Sequence, residues 1–188
     1  MHGTGSISQR RLADMAGLMR SRDRVRVSAA LDRFCRRFPQ LFFAVYTSSG
    51  TVVEDLRQYG FWMLNRANFE DLSEGKTNDG GILLVMDAES KSASVTWGYL
   101  LDPYLSEEDT FICMSRAHAY WLESRFADGT IRMLEQLENI LRKRVSQARR
   151  DPGKFEKKVA APVHTGEVAR RIREGHEQHS ISRTEVES

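Results

Sequence analysis

The chain has 188 residues, of which 40% are hydrophobic and 29% are charged. This composition supports a hydrophobic core of ordinary size and excludes a wholly disordered chain. The net charge of +2 is unevenly spread: residues 1–37 carry nine basic and three acidic side chains, whereas residues 38–148 carry ten basic and sixteen acidic ones. A basic front on an acidic body favours charge complementarity within the fold, or a cation site on the acidic part, over nucleic-acid binding.

Residues 1–21 contain a thin set of apolar positions, which predicts a short helix or an extended arm. A helix is expected to begin near Asp23, with Ser21 or Asp23 as its N-cap, and to end at Pro39. Its apolar residues recur at three- and four-residue spacing, and arginines occupy its other faces. Such an arginine run is more typical of a solvated face than of a phosphate-binding one, so nucleic acid is an unlikely partner.

The aromatic and β-branched run Leu41–Thr47 predicts the first strand, and a helix is expected from about Val52 to Asn68. Residues 78–99 then predict an antiparallel hairpin at the centre of a sheet. Its first strand is a continuous apolar run that follows two glycines, and its second alternates apolar and small or polar residues. The strand–helix–strand order requires a crossover, so the first strand should pair in parallel with the hairpin.

Ser106 is followed by three acidic residues, which predicts the capped start of the next helix. We expect Asp128-Gly129 to break that helix and a last amphipathic helix to follow. The result is a three-layer α/β/α domain over residues 22–148, with a small mixed sheet. Residues 149–188 are rich in charge and poor in apolar side chains, so they are predicted to form a disordered polar tail.

Cys35 and Cys113 are the two cysteines, and neither belongs to a CxxC or Cys/His pattern with metal-site spacing. We expect both to be free thiols, although the sequence leaves a disulfide between them open. Residues 1–6 are polar, and no apolar run approaches the roughly 20 residues that cross a bilayer. The chain as given is therefore expected to be cytoplasmic and to lack a membrane span.

Acidic residues supply the best candidate site. Asp79 directly precedes the buried hairpin strand, and Asp102 and Glu107 bracket the start of the next helix. If the connections meet at one edge of the sheet, these carboxylates would suit a hard divalent cation such as Ca²⁺ or Mg²⁺. The alternative is structural: Glu107 then complements the helix dipole and Asp79 shapes a turn.

Motifs of catalysis are missing from the chain. It contains no GxGxxG, GxSxG or HExxH pattern, and no lysine followed by serine or threonine at phosphate-loop spacing. Lys76 and Arg116 are the basic residues nearest to the acidic candidates in sequence, and no motif places either of them to clamp a phosphate. Nothing in the sequence therefore requires an enzyme.

Several stretches together resemble the TPM domain, the family typified by thylakoid-lumen phosphatase-like and photosystem II repair proteins. The lead Asp14-Met15-Ala16-Gly17-Leu18, the helix start Glu54-Asp55-Leu56, the element Lys76–Val85 and the element Val95–Leu101 follow its pattern. The likeness covers residues 12–142. Two departures lie beside the acidic candidates: Leu100 replaces a glycine, and Glu107 replaces an aspartate.

The resemblance implies a three-layer α/β/α fold with a divalent-cation site at the acidic edge of the sheet, and it maps the first acid onto Asp79. Family members are often exported or membrane-anchored. We therefore expect a TPM-like binding module with a protein partner and a Ca²⁺ or Mg²⁺ site, not clearly catalytic. The alternative, implied by an activity proposed for plant members, is a metal-dependent phosphomonoester hydrolase of the acid phosphatase type.

Overall fold

A computed structural model of the chain describes residues 7–50, 55–73 and 75–153. The chain divides into two compact units, Met1–Ser146 and Gln147–Ser188. The first unit holds both sheets. Of the second unit, only residues 147–153 are described, so most of the predicted tail lies outside the described residues.

A four-stranded mixed sheet forms the centre of the first unit, in the order β2-β3-β5-β6. Its strands are β2 (Leu12–Asp14), β3 (Phe42–Ser48), β5 (Gly81–Asp87) and β6 (Ser92–Trp97). As predicted, β3 pairs in parallel with β5, and β5 with β6 makes an antiparallel hairpin. The hairpin is not wholly central, because β6 is the outer strand of this sheet.

Helices cover both faces of the sheet, which confirms the predicted three-layer fold. The helices are α1 (Ser21–Arg37), α2 (Leu56–Arg66), α3 (Glu107–Leu122) and α4 (Phe126–Arg150). Side chains alternate along β5, so Ile82 and Leu84 pack with α1, α3 and α4, while Leu83 and Val85 pack with α2. Every residue of β5 is buried, as expected for a strand covered on both faces.

The N-terminal segment is part of the fold. Strand β2 pairs with β3, and β1 (Ile7–Gln9) pairs in parallel with β4 (Ala67–Phe69) in a second, two-stranded sheet. Strands β1 and β2 lie within residues 1–21, for which the sequence predicted an arm or a short helix. Strands of three residues were not predicted, because they are too short to show a periodic pattern.

Arg11, between β1 and β2, links the N-terminal segment to the rest of the domain. The Arg11 side chain is only 11% exposed. Its guanidinium group donates to Asp32 at 2.8 Å, to Asp71 at 3.0 Å and to the Cys35 sulfur at 3.2 Å. The Arg11 carbonyl accepts a hydrogen bond from the Val45 N–H. The segment is thereby tied to α1, to β3 and to the turn after β4.

Two helix boundaries differ from the prediction. Arg20, not Ser21 or Asp23, is the N-cap residue of α1. The break between α3 and α4 falls at residues 123–125, where Ser124 has a φ of 59°, and Gly129 lies inside α4. A Cβ atom on Gly129 would lie 2.5 Å from the Trp121 ring, so this glycine accommodates a tightly packed indole and does not end a helix.

In the described part of the chain, no helix combines the length and the apolar character that a membrane crossing requires. Helix α4 continues through Arg149 and Arg150, where the sequence predicted the tail to begin.

Candidate functional site

The first predicted acid, Asp79, lies in a 3₁₀ turn (Asn78–Gly80) immediately before β5. Its side chain is exposed. Because β3 and β5 both start at this end of the sheet, Asp79 lies at the amino ends of the parallel strands. Ligands of open α/β sheets bind mostly at the opposite, carboxyl ends.

The other two predicted acids are engaged elsewhere. Asp102 accepts a 3.0 Å hydrogen bond from the Trp97 indole N–H. Glu107 forms an ion pair with Arg57 of α2. Among the described residues, no group of three or more histidine, cysteine, aspartate or glutamate side chains could hold a metal ion. The three carboxylates thus do not form such a group among the described residues, and the cation site stays a prediction.

The glycine of the Trp97-Gly98-Tyr99 element has a packing role. Gly98 lies against the backbone of the Asn78–Gly80 turn, and a Cβ atom on it would be 2.3 Å from the Asp79 carbonyl oxygen. The elements Lys76–Val85 and Val95–Leu101, which both carry the family resemblance, therefore contact each other. A second 3₁₀ turn, Tyr99–Leu101, follows at this contact.

At the carboxyl end of β2, an aspartate accepts hydrogen bonds from groups of its own chain. Asp14 ends β2, and its carboxylate accepts hydrogen bonds from the Leu18 and Met19 N–H groups at 2.9 Å and from the Thr47 hydroxyl at 2.7 Å. The Asp14 side chain is only 1% exposed. This buried carboxylate thus holds the loop that leads into α1.

Asp87 ends β5 and organises the hairpin turn. Its carboxylate accepts hydrogen bonds from the Ser90 hydroxyl at 2.5 Å and from the Ser90 N–H at 3.0 Å. These bonds, the hydroxyl first, lower the pKa of Asp87 below its ordinary value. Both aspartates at this end of the sheet are therefore committed to local structure.

Large apolar side chains are also exposed at the surface. Helix α3 buries Cys113 and Ala117, yet Phe111 is 67% exposed, Ile112 is 38% exposed and Leu122 is 71% exposed. A surface helix normally places its large apolar side chains on the side that faces the core. The described residues leave these three side chains of α3 exposed.

Helix α2 shows the same property. Its buried side carries Met63 and Leu64, whereas Phe61 and Trp62 are each 46% exposed. The Trp62 ring stacks on Tyr59 with 6.0 Å between ring centroids, so its position on the surface is defined.

One contact joins α2 to α3, although the two helices pack on opposite faces of the central sheet. Near the start of α2, Arg57 pairs with Glu107, the first residue of α3. Phe61 and Phe111 each lie four residues, or one helical turn, beyond a partner of the ion pair.

The second 3₁₀ turn completes this region. Backbone hydrogen bonds from the Tyr104 and Leu105 N–H groups to the Leu101 carbonyl fold the chain tightly between this turn and α3. Tyr99 is 66% exposed and Leu100 is 51% exposed. We call the set the aromatic surface; its members are Phe61, Trp62, Tyr99, Leu100, Phe111 and Ile112.

The other two helices expose mainly polar side chains. Helix α1 presents Arg22, Arg33 and Arg36, with Val25 as its one large exposed hydrophobic residue. Helix α4 presents residues such as Arg132, which pairs with Glu135. The aromatic surface is therefore confined to α2, α3 and the second 3₁₀ turn.

The sequence holds one signal for this surface, in the helix that follows Ser106. Phe111, Ile112, Cys113 and Met114 are four consecutive apolar positions, which one buried stripe cannot contain. That excess was the available signal.

No family model and no curated protein matches the chain. Solved structures do resemble it. The N-terminal domain of a protein from P. gingivalis superposes with a TM-score of 0.55 at 20% identity, covering 70% of this chain and 82% of that one. The BA42 protein from the psychrophilic bacterium Bizionia argentinensis gives 0.55 at 12% identity, with 67% and 83% covered. The N-terminal domain of the cg2496 protein from Corynebacterium glutamicum gives 0.52 at 15%, with 68% and 77% covered. Likeness at these identities establishes a shared fold alone.

Proposed function

We propose that the chain is a TPM-like, non-catalytic interaction module that binds a protein partner through the aromatic surface. The observation that carries this proposal is the pair of exposed phenylalanines on either side of the Arg57–Glu107 ion pair, Phe61 on α2 and Phe111 on α3. Aromatic side chains are enriched at the centres of protein interfaces, where they supply large contact area at low entropic cost.

The rest of the domain supports a binding role over a catalytic one. The carboxylates of Asp14 and Asp87, at the carboxyl ends of the strands, accept hydrogen bonds from N–H and hydroxyl groups of the loops that follow them. The predicted acids Asp102 and Glu107 also have protein partners. The exposed apolar side chains are thus the part of the described surface that gains most from being covered by another molecule.

Photo-crosslinking from two matched positions tests this proposal. A photoreactive phenylalanine analogue replaces Phe111, which is 67% exposed, or Val25 of α1, which is 69% exposed. In cells of the source organism, we expect the probe at position 111 to give a discrete crosslinked species and the probe at position 25 to give none. Adding Phe61→Gln to the chain with the probe at 111 should remove that species.

Equal crosslinking at both positions, or persistence of the species with Phe61→Gln, would contradict a specific aromatic surface. Circular dichroism of each variant controls for folding, because both side chains point to solvent and their replacement should leave the core intact.

The hydrolase alternative remains a prediction from the family resemblance, and it has a separate test. A phosphomonoester assay with and without a chelator, on the wild type and on Asp79→Ala, would detect the metal-assisted reaction. Hydrolysis that is lost with the chelator and in the variant would favour this alternative over the module.

A further inference from the structure

We infer that the aromatic surface takes a basic amphipathic segment of the partner protein, with the basic residues directed toward the two 3₁₀ turns. This inference rests on the proposed function and adds the chemistry of the partner. It follows from the charges that border the aromatic surface.

One end of the surface is acidic. The backbone of Asp79 contacts Gly98, which is the residue before Tyr99. Asp102 directly follows the second 3₁₀ turn. Glu108 lies in the first turn of α3, one residue after Glu107 and four before Ile112. Three acids, Asp79, Asp102 and Glu108, thus lie beside the second 3₁₀ turn or in the first turn of α3.

Two of these charges are not neutralised by the domain. Asp79 and Glu108 are exposed, and neither forms an ion pair with another described residue. Glu107 differs, because Arg57 already neutralises it. Helix-dipole complementarity explains why acids start α3, but it does not explain Asp79, which lies outside any long helix.

The other end of the surface is not acidic. Arg116 lies four residues beyond Ile112 on α3, and it is exposed. The charge therefore changes sign along α3, from Glu108 to Arg116. A partner helix with an apolar stripe can cover Phe111 and Ile112, and lysines or arginines at one of its ends would then meet Glu108 and Asp79.

An acidic segment is disfavoured because it would place like charges against Asp79 and Glu108. A second copy of the chain is also disfavoured, because an antiparallel two-fold contact would set only one cation, Arg116, against the acids Asp79 and Glu108 of the other copy. Both remain measurable outcomes of the test below.

Fluorescence anisotropy of labelled synthetic helices tests the inference on the full chain. Three 18-residue peptides share one leucine stripe and carry lysine, glutamate or glutamine at the remaining positions of one end. We expect the lysine peptide to bind at least tenfold more tightly than the glutamate peptide at low salt, and its advantage to shrink as salt increases.

Charge reversal supplies the matched controls. Asp79→Lys with Glu108→Lys should remove or invert the preference for the lysine peptide. Glu89→Lys with Glu135→Lys makes the same change in net charge away from the surface, because Glu89 is in the hairpin turn at the far end of β5 and Glu135 is on α4. This control should leave the preference unchanged.

The outcomes separate the two proposals. Equal binding of all three peptides, reduced by Phe61→Gln and Phe111→Gln, would overturn the charge inference and leave the aromatic surface standing. Binding that follows net charge in the control variant as well would overturn it too. No peptide binding, together with a dimer in light scattering that Phe111→Gln dissociates, would replace the basic segment by a second copy. Failure of the crosslinking experiment would remove the proposed function itself.

Discussion

Gly98 lies so close to Asp79 that a Cβ atom at position 98 would stand 2.3 Å from the Asp79 carbonyl oxygen. This contact joins the end of β6 to the turn before β5, and the Gly98 N–H donates a 2.9 Å hydrogen bond to the Gly81 carbonyl there. Gly98 therefore holds together the open end of the β5–β6 hairpin. Any other residue at position 98 would require the backbone to move.

Gly98→Ala should destabilise the domain by about 1–3 kcal/mol, because backbone atoms, unlike a flexible side chain, cannot move aside cheaply. Urea unfolding followed by circular dichroism measures the loss. Gly153→Ala is the matched control, since a Cβ atom there meets nothing within 4 Å. Wild-type stability in Gly98→Ala would show that the two 3₁₀ turns are not in contact.

Asp87 should make stability depend on pH. Its folded-state pKa is lowered, chiefly by the Ser90 hydroxyl. A lowered pKa contributes stability in full above the unfolded-state value of about 3.9, and that contribution is lost as the pH falls through the folded-state value. Asp87→Asn should therefore be less stable than the wild type at pH 7, and the difference should narrow below about pH 4.

Urea unfolding of both proteins at pH 7 and pH 3 measures this change. Ser90→Ala, which removes the first donor, should reduce the same pH dependence. A difference between wild type and Asp87→Asn that is constant across the two pH values would mean that the Asp87 carboxylate is not stabilised by the hairpin turn.

Cys113 should be inert in the native protein. Burial in the α3 core, with the charge of Asp109 adding to the effect, raises the pKa of its thiol to about 12. Because the thiolate is the reactive form, an aromatic disulfide reagent at pH 8 should not label Cys113 before unfolding. Cys35 is only half-buried and should react first.

The two thiols are separated by single variants. Cys35→Ala should leave no rapidly reacting thiol, and Cys113→Ala should leave the rapid reaction of the wild type unchanged. Rapid labelling of Cys35→Ala would place Cys113 outside the core.

The predicted cation site requires Glu107 to leave Arg57. If Ca²⁺ binds there, Arg57→Gln should strengthen binding by up to about fivefold, the equivalent of an exposed ion pair of about 1 kcal/mol, and Asp79→Ala should weaken it. Calorimetric titration of the three proteins measures both effects. The absence of binding heat in the wild type and in Arg57→Gln alike would exclude the site.

Local patterns predicted the central elements well. The uncharged run that became β3 and the glycine-led run that became β5 can only be buried strands, and the helix between them forces a parallel pairing. Ser106 was identified as a cap because its signature is local: the structure has a full capping box between Ser106 and Asp109.

The predictions that failed have a common cause: they concern structure that depends on contacts between distant parts of the chain or between neighbouring elements. β2 exists because β3 offers a partner, and Gly129 stays helical because the Trp121 ring packs on it. The sequence pattern does not predict the exposure of Phe111, because it does not reveal which side of a helix the neighbouring elements cover.

By itself, the sequence determined the layer architecture, the hairpin and the capped start of α3, since each depends on periodicity and on turn chemistry within a few residues. Only the tertiary structure decided the contacts of the predicted acids: Glu107 forms an ion pair with Arg57, Asp102 accepts a hydrogen bond from Trp97, and Asp79 is exposed. It also decided that Phe61 and Phe111 both face solvent and that an ion pair between Arg57 and Glu107 links their helices, because no local pattern specifies the positions of these helices.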